Sequence, residues 1–159
     1  MANFPAIIGR SEQLEFVDLG IVVPAKVDTG AYRSAIHFTS AKEIRRKGHR
    51  VLRVELLGHP CATEVVPMEF KEYELVAVRN SFGDRAIRYK IRLRVKLGSK
   101  VFWASFTLAD RSNNLIPVLV GRELLKNRFL VDVSKTGIDR RKLRKIYAEN
   151  SLNSDESEQ

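Results

Sequence analysis

The segment Val22-Val23-Pro24-Ala25-Lys26-Val27-Asp28-Thr29-Gly30-Ala31 carries a carboxylate at the point where an apolar strand runs into a turn. A carboxylate presented on such a turn can accept a proton from water, which is general-base chemistry. The neighbouring Thr29 hydroxyl can brace the backbone, and Gly30 lets a second segment approach without steric cost. The structural alternative is an aspartate that merely caps a strand end. A second segment is Ile116-Pro117-Val118-Leu119-Val120-Gly121-Arg122-Glu123-Leu124-Leu125, an apolar strand that ends in glycine and opens a short helix with an arginine.

In combination these segments resemble the retropepsin pattern of a strand with Asp-Thr-Gly-Ala and a later apolar-apolar-Gly-Arg element. More closely, the chain resembles the bacterial retropepsin-like aspartic endopeptidases filed as ATP-dependent zinc proteases and associated with RimK-type glutamate ligases. The resemblance runs from about Ile8 to Val133 through Gly9-Arg10, Lys26 to Ala31, Ser34-Ala35, Ser81 with Gly83, Leu119 to Arg122 and Phe129 to Asp132. It implies a mainly β fold, a retropepsin-like closed or semi-closed β-barrel with short helices and a β-hairpin flap. It also implies catalytic roles for Asp28, Thr29 and Gly30, and support of the site by Val120, Gly121 and Arg122.

An aspartic peptidase uses two carboxylates that share one proton, one activating water and the other donating to the scissile carbonyl. One Asp-Thr-Gly per chain therefore implies a homodimer in which Asp28 meets its twofold copy. The resemblance places a flap over the substrate between the two motifs. Asn80, Ser81, Phe82 and Gly83, with Ala31 beside the catalytic turn, are the candidates for substrate contact. Viral retropepsins place an aspartate after Asp-Thr-Gly-Ala to pair with the later arginine; Tyr32 stands there instead, so Arg122 needs another partner.

The zinc and ATP of the family label find no support in the residues. No His-Glu-x-x-His, Cys-x-x-Cys or phosphate-loop motif is present. His59-Pro60-Cys61 could supply two soft ligands, but His37 and His49 are the only others, and no metal or other cofactor is expected.

The elements that must position these groups read mostly as β. Ile87 to Leu97 alternates without a break, placing Ile87, Tyr89, Ile91, Leu93, Val95 and Leu97 on one face and Arg88, Lys90, Arg92, Arg94 and Lys96 on the other. Gly98-Ser99 turns that strand into the next, Val101 to Leu108. Further strands are expected at 14–18, 21–27, 33–38, 51–57 and 73–79, and an added hairpin within Lys42 to Phe70. Short helices are expected from a Ser40 cap through Arg46 and from Glu123 to Lys126, and a basic one at 139–149 capped by Asp139. This divides the chain into a protease domain at 1–138, that helix, and an acidic tail at 150–159 with too little to bury to be ordered.

With 159 residues, 44% hydrophobic and 30% charged, the chain suits one soluble domain. A lone cysteine and the lack of a long apolar run point to a cytoplasmic setting without membrane contact. Net charge is +9, and the last ten residues carry three acids and no base, so the body before them holds +12. Such a body attracts acidic polymers. The partners that follow are a polypeptide substrate, acidic or glutamate-tailed by family association, and the ribosome. The alternative function is a non-catalytic basic binding module of the same fold, associated with ribosome or RNA.

Overall fold

A ring of six strands holds the Asp28 turn at its rim. The computed structural model describes residues 4–79 and 82–157. Its strands are β1 (Ala6–Ile8), β2 (Ser11–Phe16), β3 (Ile21–Val27), β4 (Ser34–Arg46), β5 (His49–His59), β6 (Ala62–Phe70), β7 (Glu74–Arg79), β8 (Arg85–Leu97), β9 (Lys100–Ala109), β10 (Val118–Val120) and β11 (Phe129–Val131). Helices are α1 (Arg122–Leu125) and α2 (Arg140–Ser157), with a 3-10 turn at Val17–Leu19. The order β10-β3-β2-β8-β9-β4 closes because β10 also pairs with β4. β5 and β6 extend the sheet from β4, β7 pairs with β8, and β1 pairs in parallel with β11. The chain is thus mainly β, as its alternating patterns lead one to expect.

Leu14, Phe16, Val23, Ala25, Ile36, Ile91, Val95, Phe106 and Val118 fill the ring. On β8 the alternation holds from Ile91 to Leu97, whereas Ile87 is 67% exposed. β8 therefore leaves the core before it reaches the β7–β8 hairpin tip.

β10 fixes the Asp28 turn. Val118 and Leu119 are in register with Ala25 and Lys26 of β3 on one side and with Ile36 and Ala35 of β4 on the other. The strands entering and leaving the turn are thereby tied to one three-residue partner. At its end the Gly121 N–H donates to the buried Ser34 hydroxyl at 3.0 Å. A Cβ on Gly121 would lie 2.6 Å from the Arg33 carbonyl oxygen and 2.8 Å from that of Tyr32. Only a glycine admits that approach, for reasons of space.

Two expectations are corrected. Ser40 to Arg46 is not a helix but the outer half of β4, paired with β5 from Ser40↔Glu55 to Arg46↔His49. Lys47 and Gly48 turn the hairpin with φ of 51° and 81°, the left-handed pair that suits a two-residue hairpin. Cross-strand pairing outweighs the local helical propensity of Ala41-Lys42-Glu43. The segment Lys42 to Phe70 holds a third strand, β6, beyond the hairpin expected there. The last element, α2, runs from Arg140 through Ser157.

Asp139 caps α2 as expected, accepting from the Arg141 and Lys142 N–H groups at 3.1 and 3.2 Å. The helix docks through side chains on the turn after β5 and the loop after β9. Tyr147 donates to the Ser112 carbonyl and Asn150 to that of Pro60, each at 2.6 Å. Beneath them, His59 Nε2 lies 3.0 and 2.8 Å from the Arg111 and Asn114 carbonyl oxygens, and its Nδ1 accepts from Cys61 N–H at 3.0 Å. That set requires the neutral Nε2–H tautomer. His37 Nδ1 accepts from Arg111 N–H at 2.9 Å, and the two rings stand edge-on, 5.3 Å apart.

Two predictions follow from this framework. Ser34→Ala removes the acceptor of a buried N–H and should cost about 1–3 kcal/mol in urea unfolding; an unchanged midpoint would show that the clamp does not bear on stability. Burial lowers the pKa of His37 and His59 below 6.5, with Arg111 adding repulsion to both and Asp110 opposing it. Between the lowered values and 6.5 the unfolded chain binds more protons than the folded one. Stability from these groups is therefore complete above about pH 6.5 and falls as pH drops. The urea midpoint should decline between about pH 7 and 5, before carboxylates titrate, and the decline should shrink in His59→Gln. A flat profile over that range would contradict the neutral buried pair.

Candidate active site

Asp28 follows β3 directly, and its N–H donates to the Val120 carbonyl of β10 at 2.9 Å. Ala31 N–H returns to the Asp28 carbonyl at 3.3 Å, closing the turn. Within it, Gly30 N–H donates to Asp28 Oδ1 at 2.9 Å. One carboxylate oxygen is thus oriented by the backbone of its own turn. Asp28 is half-buried, whereas Thr29 and Gly30 are exposed. A Cβ on Gly30 would meet Asp28 Oδ1 at 3.2 Å, so a larger residue there would crowd the carboxylate.

The later motif closes on this turn from below. Arg122 N–H donates to the Ala31 carbonyl at 2.8 Å, and Glu123 N–H to that of Tyr32 at 2.9 Å. Arg122 Nη1 donates to the Thr29 carbonyl at 3.0 Å. Its guanidinium also lies 5.9 Å from the centre of the Tyr32 ring, with Arg33 at the same distance. Arg122 has thereby exchanged the expected carboxylate partner for a carbonyl and an aromatic ring, a cation–π contact of modest strength at an exposed site. Arg33 in turn reaches Glu123 at 3.8 Å. Val120, Gly121, Arg122, Ala31 and the Asp28 turn form one hydrogen-bonded unit.

Arg111 belongs to the same wall and has no sequence motif to mark it. It is 9% exposed, and its Nε donates to the Ile116 carbonyl at 3.0 Å. Burial lowers its pKa, and the negative charge of Asp28 opposes that shift. The guanidinium is therefore within electrostatic reach of the candidate catalytic carboxylate. Its own backbone N–H is fixed by His37, which joins the α2 contact layer to the site.

The candidate flap residues Phe82 and Gly83 lie at the tip between β7 and β8. Gly83 has φ of +83°, and Phe82 is 88% exposed. Asn80 and Ser81 lie outside the described residues. The basic face of β8 is less free than its sequence implies: Arg94 pairs with Asp18 at 2.6 Å and Lys90 with Glu74 at 3.2 Å. A concavity of about 670 Å³, lined by Phe70, Tyr73, Lys90, Arg92, Trp103 and Ser105 among others, does not include Asp28.

His59 spends both ring nitrogens on protein partners, so neither faces an open ligand position. The Cys61 thiol lies 3.6 Å from the Leu143 carbonyl, and burial pushes it up to about 11, far from a reactive thiolate. Among the described residues no three His, Cys, Asp or Glu side chains form a metal-binding group. Likewise, no described helix is long and apolar enough to cross a membrane.

Comparison with known proteins agrees with this geometry. The chain is 31% identical over 140 residues to a probable alpha-L-glutamate ligase of Shewanella pealeana, covering 86% of this chain and 30% of that protein. It is 32% identical over 130 residues to a protein of the same description from Desulfotalea psychrophila, covering 79% and 28%. The chain therefore spans less than a third of the length of these relatives. A Legionella pneumophila crystal structure of unknown function superposes with a TM-score of 0.67 at 30% identity, covering 83% of this chain and 96% of that one. Residues 7–142 match the RimB-like family, described as retropepsin-like aspartic endopeptidases, and the chain belongs to that family.

Proposed function

We propose that the protein is an aspartic endopeptidase that works as a homodimer. The observation that carries this reading is the half-exposed Asp28 carboxylate, held by Gly30 N–H on a turn that β10 ties down on both sides. Family membership supplies the peptidase description. Thr29 and Gly30 face solvent in the single chain, as residues meeting a twofold copy would. Exposed apolar side chains favour a partner as well. Ile7 and Leu130, register partners on β1 and β11, are 61% and 59% exposed. The segment leaving β1 reaches the site, where the Arg10 carbonyl accepts from Val27 N–H at 2.9 Å.

In the dimer the two Asp28 carboxyls share one proton, because like charges that close cannot both ionise easily. The ionised member takes a proton from water while the hydroxyl oxygen adds to the scissile carbonyl carbon. The protonated member gives its proton to the carbonyl oxygen, forming a neutral gem-diol. Collapse returns a diol proton to a carboxylate, breaks the C–N bond and delivers a proton to the leaving amine. Protonation belongs to the pair rather than to either residue. Thr29 braces the two turns against each other, and Phe82 to Asp84, between β7 and β8, act as the flap over substrate.

The substrate we propose is a glutamate-extended polypeptide, with a ribosomal protein as its carrier. Two facts support it: the name of the relatives, and a body charge of +12. Arg88, Arg92 and Lys96 make no ion pair within 4 Å among the described residues and supply the attraction on β8, since Lys90 and Arg94 are already paired.

Asp28→Asn keeps size and shape but removes the base. The variant should unfold at the parent's urea midpoint and lose cleavage of a glutamate-extended peptide by roughly a thousandfold or more, within the range of a lost general base. The parent should keep its activity in strong chelator. Full cleavage by Asp28→Asn would end the aspartic mechanism. No cleavage by the parent, with intact binding of the same peptide, would favour a non-catalytic module.

A further inference from the structure

We propose that the arm formed by β4 and β5 is a docking site for the sugar-phosphate backbone of a B-form DNA duplex, separate from the Asp28 site. From Lys42 to Arg53 the chain carries six cations and one acid, Glu43. Pairing sets like charges directly opposite one another, Lys42 against Arg53 and Arg45 against Arg50. Such pairs destabilise an isolated hairpin, and a bound polyanion relieves them. Successive residues of a strand face opposite sides, so the two cation pairs lie on opposite faces of the ribbon. Lys47 adds a charge at the turn itself.

The local acids neutralise only part of this end, Glu69 bonding Arg46 and standing opposite Arg53. Glu69 takes Arg46 at 2.5 Å, and Glu43 accepts the Tyr73 hydroxyl at 2.9 Å. Among the described residues, Arg45, Lys47 and Arg50 make no ion pair within 4 Å. Pairing with β6 stops at Leu52↔Phe70 and pairing with β9 at His37, so the last residues of the ribbon are held to β6 by side chains, Arg46 to Glu69, rather than by the backbone. Beside it is a concavity of about 680 Å³, lined by Arg46, Lys47, Arg50, Val51, Glu69 and Lys71 among others.

Charge on both faces and at the tip fits a partner whose negative charge surrounds the ribbon. The major groove of B-form DNA does so, with phosphates along both walls; it is about 12 Å wide and admits a two-stranded ribbon. An extended acidic peptide would cover one face and leave the other cations unmatched. None of the exposed large apolar side chains lies between residues 40 and 53, which removes the stacking platform that a single strand needs. The twelve steps of β4 from Ser34 to Arg46 span roughly 40 Å at about 3.3 Å each. A partner held at the tip is thus well outside the reach of residues flanking a bond at Asp28. The arm would hold a large particle while the site acts elsewhere on it.

Fluorescence anisotropy with short labelled duplexes of RNA and of DNA tests this directly, using the full chain and a polyglutamate competitor. At about 50 mM salt the chain should bind the DNA duplex more tightly than the RNA duplex, whose major groove is too narrow for the ribbon, and affinity should fall steeply towards about 200 mM. The triple variant Arg45→Gln, Lys47→Asn, Arg50→Gln should lose roughly tenfold or more and about three units of the log–log salt slope. Arg45→Lys with Arg50→Lys should retain most binding. If the triple variant fails to fold, Lys47→Asn alone serves, since asparagine tolerates the positive φ there; it should lose about one unit of slope. Absence of duplex binding at low salt, an unchanged slope in the variants, or binding of polyglutamate alone would each overturn the proposal. Cleavage by the Asp28 site is unaffected by any of these outcomes.

Discussion

Everything at the candidate site depends on three residues of β10 hydrogen-bonding to two strands at once. β3 delivers Asp28 and β4 carries the chain away from it, and both are paired to Val118 and Leu119. A turn between two strands is ordinarily the most mobile part of a hairpin. Here its two ends cannot separate without breaking the ring, and its interior is tied by Asp28 N–H to Val120 and Arg122 N–H to Ala31. Preorganisation of this kind is what a general base requires, because a misplaced carboxylate pays for its repositioning in every turnover. The close approach of Gly121 to the Tyr32 and Arg33 carbonyls is the steric condition for that clamp.

The same clamp explains how the chain tolerates Tyr32. With the turn held by backbone bonds, Arg122 need not be fixed by a buried ion pair. A carbonyl acceptor and the face of an aromatic ring suffice, and both partners stay partly in water. A buried pair would add desolvation cost without improving the position of Asp28. Arg111 is the contrasting case, a buried cation with its Nε on a carbonyl and its charge turned towards the site. Its link to His37, and through the imidazole pair to α2, makes the C-terminal helix part of the site's support.

Much of this was legible in the residues. Asp28-Thr29-Gly30 and Gly121-Arg122 pointed to the candidate site because their chemistry is local: a carboxylate on a turn, and a glycine where two backbones touch. The alternation from Ile91 to Leu97 named a strand for the same reason. The end of β4 was misread because Ser40 to Arg46 has good helix formers and its partner lies across a hairpin, so the deciding interaction is non-local. Arg111 and the two imidazoles left no pattern, since their roles arise from burial and from carbonyl groups that three separate segments bring together. The pairing of Arg94 with Asp18 joins residues 76 apart and was equally invisible.

One Asp-Thr-Gly turn per chain makes association the decisive property. Sedimentation equilibrium on the unmodified protein, at concentrations where it cleaves a glutamate-extended peptide, measures it without any substitution. An active species of twice the 18.1 kDa chain mass is the predicted result, with cleavage lost as dilution dissociates it. Undiminished cleavage by a species of 18.1 kDa would contradict a site built from two copies of Asp28.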